Sequence, residues 1–158
     1  EEFIGKNELP CRVCQVIHYR NPTPVAVLLV PYDGGLLMVR RGIMPRIGKF
    51  SLPGGFIVLG ESWRRAGARE AFEEAQVIIP SPEESVYEYM VESIPNTTQI
   101  ILFGLVRKDA PIEVKEFTPN EEATERLIIR KNNVDLYKDD IAFPLHLLAI
   151  QKYFALQQ

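Results

Sequence analysis

Cysteine is scarce in this chain: 158 residues contain two, Cys11 and Cys14. Two thiols so close together cannot build a disulfide framework, which excludes a small stapled extracellular scaffold. No apolar run approaches the roughly 18 residues of a membrane-spanning helix. The opening Glu1-Glu2-Phe3-Ile4-Gly5-Lys6 lacks a basic stretch followed by an apolar core, so no secretory signal is expected. Internal repeats and low-complexity tracts are missing. Positive charge is not in excess: the formal net charge is −3. That balance argues against broad binding to nucleic acid or acidic membranes. It leaves room for a small anionic substrate, because a bound metal ion can supply positive charge. A cytoplasmic enzyme is the default expectation.

What is present reads as an ordinary globular domain, 46% apolar and 25% charged. The length favours one domain with a core that needs no staples. Residues 1–22 are polar and proline-broken, and an irregular lead-in is expected there; residues 23–158 form the domain proper. Val25 to Tyr32 is apolar and β-branched, a buried strand. Asp33-Gly34-Gly35 turns the chain, and Leu36 to Arg40 returns as the hairpin partner. Arg40 to Lys49 is a basic loop. Phe50-Ser51-Leu52 is a short strand that ends at Pro53-Gly54-Gly55. Ser62 to Gln76 is a helix with Ser62 as its N-cap. Val86 to Glu92 and Thr98 to Val106 are strands around a Ser93-Ile94-Pro95-Asn96 loop. Residues 109–126 are acidic, carry two prolines and read mostly as loop. Pro144 to Leu156 is a helix with Leu145, Leu148, Ala149, Lys152 and Tyr153 spaced for one face. The sum is an α+β domain, with largely antiparallel strands in a mixed sheet and helices packed against it.

The helix over 62–76 carries the chemistry. Glu70, Glu73 and Glu74 lie three and four apart and share a face. At about 100° per residue, Ala68, Ala71, Phe72 and Ala75 fall on the opposite side, which can pack on the sheet. A solvated face usually mixes signs, because like charges one turn apart repel. On the helix alone, a solvated acidic face and a metal site are equally good readings. Hard oxygen ligands of this kind suit magnesium or manganese. Before the helix, Gly54-Gly55 permits close approach of a ligand to the backbone. Glu61 and Arg69 are placed to pair and brace that loop.

Taken whole, Gly55, Glu61, Arg69, Glu70, Glu73 and Glu74 stand in the spacing of the Nudix box, and the segment resembles the Nudix hydrolase family. Six charged or glycine positions in register over 23 residues make the match specific. The resemblance implies an α/β/α sandwich that hydrolyses nucleoside diphosphates linked to another group, using one to three divalent cations. It implies Mg2+ or Mn2+ held by Glu70, Glu73 and Glu74 with a carbonyl of Gly54 or Gly55, and structural roles for Glu61 and Arg69. It implies a general base that is a box glutamate or a downstream loop glutamate, with Glu121, Glu122 and Glu125 as candidates and Glu125 the expected one. For each of these three, a solvated loop charge is the simpler reading. One position departs from the pattern. The family has glycine where this chain has Gln76, and the expectation is that Gln76 extends the helix by one residue without disturbing the carboxylates.

The resemblance reaches beyond the box. Cys11-Arg12-Val13-Cys14 followed by Ile17-His18-Tyr19-Arg20-Asn21-Pro22 is similar to the second half of the zinc ribbon of one bacterial and plant subgroup. So are Ser93-Ile94-Pro95 with Gln99, and Asp140-Ile141-Ala142-Phe143-Pro144. That subgroup includes ADP-ribose and FAD pyrophosphatase-like enzymes. A structural zinc needs four ligands; this chain shows one pair, Cys11 and Cys14, with His18 nearby, so zinc is the weaker cofactor expectation. His146 reads as ordinary packing. Arg40, Arg41, Arg46 and Lys49 form a basic loop that could meet phosphates, and the first three are the substrate-binding candidates. For Phe56, Tyr19 and Tyr32, core packing is a better reading than base stacking.

Three functions compete. The first is a pyrophosphohydrolase for ADP-ribose, FAD or NADH that releases a nucleoside monophosphate. The second is a nucleoside-triphosphate pyrophosphohydrolase. The third is a nucleotide-sensing module that does not cut, against which the retained Glu70, Glu73 and Glu74 argue. The implied partner is a small nucleotide, with no nucleic acid and no membrane, and the resemblance suggests a homodimer.

Overall fold

The structure is a computed structural model that describes residues 8–19, 21–94 and 98–157. The readings of the first six residues and of Arg20, Pro95 and Asn96 lie outside the described residues. The lead-in is more ordered than its composition suggests. Strands β1 (Glu8–Pro10) and β2 (Ile17–Tyr19) pair antiparallel, with Glu8 opposite Tyr19. Cys11 and Cys14 sit in the turn between them. Local backbone bonds close that turn, Cys11 N–H to Val16 O and Gln15 N–H to Cys11 O. Both strands are only three residues long, and Pro10 inside the first and Pro22 just past the second hide them in the sequence.

The apolar run from Val25 divides into β3 (Thr23–Leu29) and β4 (Pro31–Tyr32), and β5 (Gly35–Arg41) returns after the turn. The run has no polar alternation because both faces of β3 and β5 are covered. Val27, Leu29, Leu36 and Met38 belong to one core, which also holds Phe103, Ala149, Ile150, Tyr153 and Phe154. Leu28, Val30, Leu37 and Val39 belong to the other, with Ala71 and Ala75. Two short strands follow, β6 (Phe50–Ser51) and β7 (Gly54–Phe56). Helix α1 (Trp63–Ala75) then covers the second core.

The chain continues as β8 (Val77–Ile78), a single-turn helix α2 (Pro82–Ser85), β9 (Val86–Ser93), β10 (Gln99–Val106), β11 (Glu113–Val114) and β12 (Ala123–Ile129). Helix α3 (Val134–Tyr137) and a 3-10 turn lead to α4 (Pro144–Ala155), which covers the first core. One sheet has the order β7-β3-β10-β9 and another β12-β5-β4, with β6 also on β5. The β3–β10 pair is parallel; the other pairs within these two sheets are antiparallel. This is the α+β arrangement, with α1 and α4 on opposite sides of the sheets. Among the described residues, no helix is long and apolar enough to cross a membrane.

Several local expectations need correction. Phe56, Tyr19 and Tyr32 do not pack in the core but are exposed. Strand β12 begins inside the stretch read mostly as acidic loop and runs three residues past its end. It is the outer strand of its sheet, and Thr124 and Glu125 face solvent, so its polar residues cost nothing there and mask it. Phe72 does not help bury α1: it is 47% exposed, while Ala66, Gly67, Glu70 and Glu74 are buried with Ala71 and Ala75. The buried face of α4 is rotated from the expected one and carries His146, Ala149, Ile150, Tyr153 and Phe154, with Leu148 outside.

Finally, Gln76 does not extend α1. It ends the helix in the left-handed conformation, φ 54° and ψ 41°, where the family pattern has glycine. Its side chain compensates for that conformation. Gln76 Nε2 donates to Thr118 O at 2.7 Å, and Thr118 N–H donates back to Gln76 Oε1 at 2.7 Å. Gln76→Ala removes both bonds and keeps the strained φ, so it is expected to cost about 1–3 kcal/mol. Gln76→Gly relaxes the backbone and should cost less. Urea unfolding of the two variants checks the order.

Candidate active site

The site begins with a tether. Leu28 N–H donates to Pro53 O at 2.9 Å, and β7 then runs beside β3 with Gly54 opposite Val27 and Gly55 opposite Ala26. A loop climbs from β7 to Ser62, whose hydroxyl caps α1 by accepting from Arg65 N–H. Arg69 locks loop to helix. It grips both oxygens of Glu61, through Nη2 to Oε1 at 2.8 Å and Nε to Oε2 at 3.3 Å. The same guanidinium donates to Phe56 O at 3.0 Å, Glu70 Oε1 at 2.7 Å and Glu73 Oε2 at 2.9 Å. Glu61 in turn accepts from Val58 N–H at 2.8 Å. The Arg69 guanidinium holds the Glu61 carboxyl below its ordinary range and is itself held firmly protonated by these carboxylates. The acidic face therefore does contain a cation, one spent on bracing.

The three box glutamates do not share one environment. Glu70 and Glu74 are buried, at 8% and 5% exposure. Burial pushes the Glu74 carboxyl up to about 8, with Glu70 nearby adding to the rise and the Gly54 N–H bond at 3.0 Å opposing it. Burial raises Glu70 as well, against the pull of Arg69. Glu73 points outward to Arg69. The third carboxylate beside Glu70 and Glu74 is Glu122: oxygens of the three lie within 4.8 Å of one another. Glu122 comes from the loop before β12, and Asn120 sets that loop. Asn120 Oδ1 accepts from Glu122 N–H and Ala123 N–H, and its Nδ2 donates to Glu73 O at 2.8 Å. Glu122 N–H is thereby tied to the helix that carries its partners.

Two observations fit this cluster to a divalent cation. Buried carboxylates this close repel and are desolvated, a cost that a cation removes. A side chain at Gly55 would strike the Glu70 carboxylate, so glycine there keeps that oxygen set in place. The donors are hard oxygens, the class that magnesium and manganese prefer.

The cluster forms one wall of a cavity of about 410 Å³. Gly54, Gly55, Arg41 and Arg69 also line it, together with the apolar Val25, Val27, Leu52, Ile101 and Leu145 and with His146. Of the basic-loop candidates, Arg41 lines the cavity, held by a bond from Nε to Pro45 O at 2.8 Å and stacked on Phe143. Arg40 is turned to Glu125 at 2.7 Å and lies over Phe50. Neither Arg40, Glu125 nor Arg46 lines the cavity. Cys11 and Cys14 are free thiols in the amino-terminal hairpin. Sequence spacing alone missed Asn120, Phe143 and His146, which come from segments far from the box.

A family model of the NUDIX domain matches residues 22–134. The chain belongs to the Nudix family. It is a pyrophosphohydrolase of that family, whose enzymes use divalent metal ions on small nucleotide substrates. Among curated proteins no sequence matches it. Its fold is similar to that of a Nudix hydrolase from Nitrosomonas europaea, with 26% identity, a TM-score of 0.74, and 90% of this chain and 76% of that one covered. It is also similar in fold to a bifunctional NMN adenylyltransferase/ADP ribose pyrophosphatase from Francisella tularensis, complexed with AMP and Mn ion. There the identity is 23%, the TM-score 0.71, and the chain covers 42% of that protein. A MutT Nudix hydrolase from Burkholderia pseudomallei shares 18% identity at a TM-score of 0.62, covering 83% of this chain and 97% of that one.

Proposed function

We propose that this Nudix enzyme hydrolyses the diphosphate linkage of a nucleoside-diphosphate derivative of the ADP-ribose, FAD or NADH type and releases a nucleoside monophosphate. The observation that carries the reading is a single cavity with an acidic wall facing an apolar one. Such a cavity suits a substrate whose diphosphate joins two bulky groups. The likeness in fold to the Francisella ADP ribose pyrophosphatase points the same way.

Glu70, Glu74 and Glu122 would hold Mg2+ or Mn2+, with the Gly54–Gly55 backbone on the same wall. An ion held there would supply charge neutralisation for the non-bridging phosphate oxygens and activation of the attacking water. The chain does the rest. Arg41, fixed by Pro45 O and Phe143, meets the phosphate charge. Arg69 and Glu61 hold β7 against α1, and Asn120 holds the Glu122 loop against the same helix. Glu122 is the exposed member of the trio and the loop carboxylate best placed to take a proton from the attacking water at a carboxylate oxygen. Glu125, paired with Arg40, is less well placed.

A substrate panel tests the reading. FAD, ADP-ribose, NADH and the nucleoside triphosphates are offered with magnesium or manganese, with and without EDTA. EDTA-sensitive release of AMP from one of the first three is expected. A strong preference for triphosphates would move the assignment to a nucleoside-triphosphate pyrophosphohydrolase.

A further inference from the structure

His146 stands on the apolar side of the cavity, in the first turn of α4. It is 5% exposed, edge-on to Phe103 and tilted against Phe143. The backbone N–H of Leu52 donates to its Nδ1 at 3.1 Å. A peptide nitrogen has only a proton to offer, so Nδ1 is the bare, accepting nitrogen. Burial, with Arg41 adding a smaller push, brings the ring's pKa down to about 3. The ring is therefore neutral at working pH, and its one proton sits on Nε2.

No acceptor among the described residues takes that proton. The atom is not sealed in protein either: the sealed and unpartnered side-chain polar atoms among the described residues are Ser51 Oγ and Gln157 Nε2. The Nε2–H therefore opens onto the cavity that His146 helps to line. The same cavity is lined by Val25, Val27, Leu52, Ile101 and Leu145, which belong to one apolar cluster. Walls of this kind favour a flat, uncharged ring, and one fixed donor among them sets how the ring lies. A ring with no acceptor at that point would leave the donor unsatisfied and bind less well.

We propose that the apolar half of the cavity receives the nucleobase of the substrate, and that His146 selects it by donating the Nε2 proton to a ring nitrogen or carbonyl oxygen of the base. This rests on the nucleoside-diphosphate reading above and adds to it the residue that reads the base. His146 is then a specificity-determining residue, with Leu52 N–H as the group that fixes its tautomer.

The test uses the whole chain labelled with 15N-histidine. The sequence has two histidines, His18 and His146, and a His18→Gln variant assigns the ring signals. His146 should show the Nε2–H tautomer. Adenosine, guanosine, uridine and cytidine monophosphates are then added with magnesium; they contain no anhydride to cleave. At least one should move the Nε2 signal of His146 saturably. His146→Asn keeps an acceptor for Leu52 N–H and removes the Nε2 donor. It should weaken binding of that nucleotide roughly tenfold and raise KM for the parent substrate by a similar factor, with kcat unchanged. An Nε2 signal that none of the four nucleotides moves would overturn the proposal, and the wild-type spectrum decides this even where the variant folds poorly. Wild-type affinity in His146→Asn would overturn it equally. Failure of the hydrolysis panel with the base-dependent shift intact would discard the reaction assigned above and keep the base site.

Discussion

Glu74→Gln is expected to lower kcat by about a thousandfold while leaving the protein folded. The substitution keeps the shape of the side chain and an oxygen for the Gly54 N–H, which donates to Glu74 at 3.0 Å. What it removes is the charge that, with Glu70 and Glu122, makes the cluster attractive to a cation. In the metal-free protein that charge is a burden, since burial raises the Glu74 carboxyl to about 8. The variant should therefore melt no lower than the wild type in EDTA near pH 8. Steady-state turnover and thermal melts on one preparation check both halves. Glu73→Gln is the useful contrast: Glu73 faces Arg69 rather than the cluster, so its effect should be clearly smaller.

The second large effect concerns pH. Glu74 is raised above its ordinary value in the folded chain, and Glu70 is raised too. A carboxyl whose folded pKa is higher than its unfolded one binds protons more tightly when folded. It contributes stability that is fully present below the unfolded value and is lost as pH rises through the folded one. For Glu74 the window runs from 4.5, the ordinary value of a glutamate, up to about 8. The melting temperature in EDTA should fall across that window. A divalent cation binds the ionised cluster and displaces the protons, so its stabilising effect should grow with pH. At a hundredfold excess over Kd a ligand adds about 2.7 kcal/mol, or roughly 5–10 °C for a domain of this size. Melts from pH 5.5 to 8.5, with EDTA and with Mn2+, give the result. A flat EDTA curve with a constant metal increment would contradict the burial of these two carboxylates.

How much of this was legible in the sequence follows from where each signal is local. Ser62 caps α1 and Glu61 pairs with Arg69 because both depend on residues a few positions apart. The apolar runs of β3 and β5 are legible because both faces of those strands are covered. The rest depends on partners distant in the chain. Glu122 looks like one loop charge among several until Asn120 ties its loop to α1. Strand β12 is hidden because it lies at the edge of its sheet and keeps exposed polar residues. Phe72 satisfies a helical period yet stays outside, since α1 buries two carboxylates where an apolar face would be expected. Gln76 looks like a helix extension, and only its paired bonds to Thr118 explain how a non-glycine holds the left-handed turn. His146 is a lone histidine in the sequence; its tautomer is set by a peptide group 94 residues away.

The measurement closest to the central claim is a Mn2+ titration followed by electron paramagnetic resonance, in the wild type and in Glu70→Gln, Glu74→Gln and Glu122→Gln. The cluster as described should bind Mn2+ in the wild type and lose affinity by about tenfold or more in each variant. Wild-type affinity retained in all three would contradict it and place the cation elsewhere.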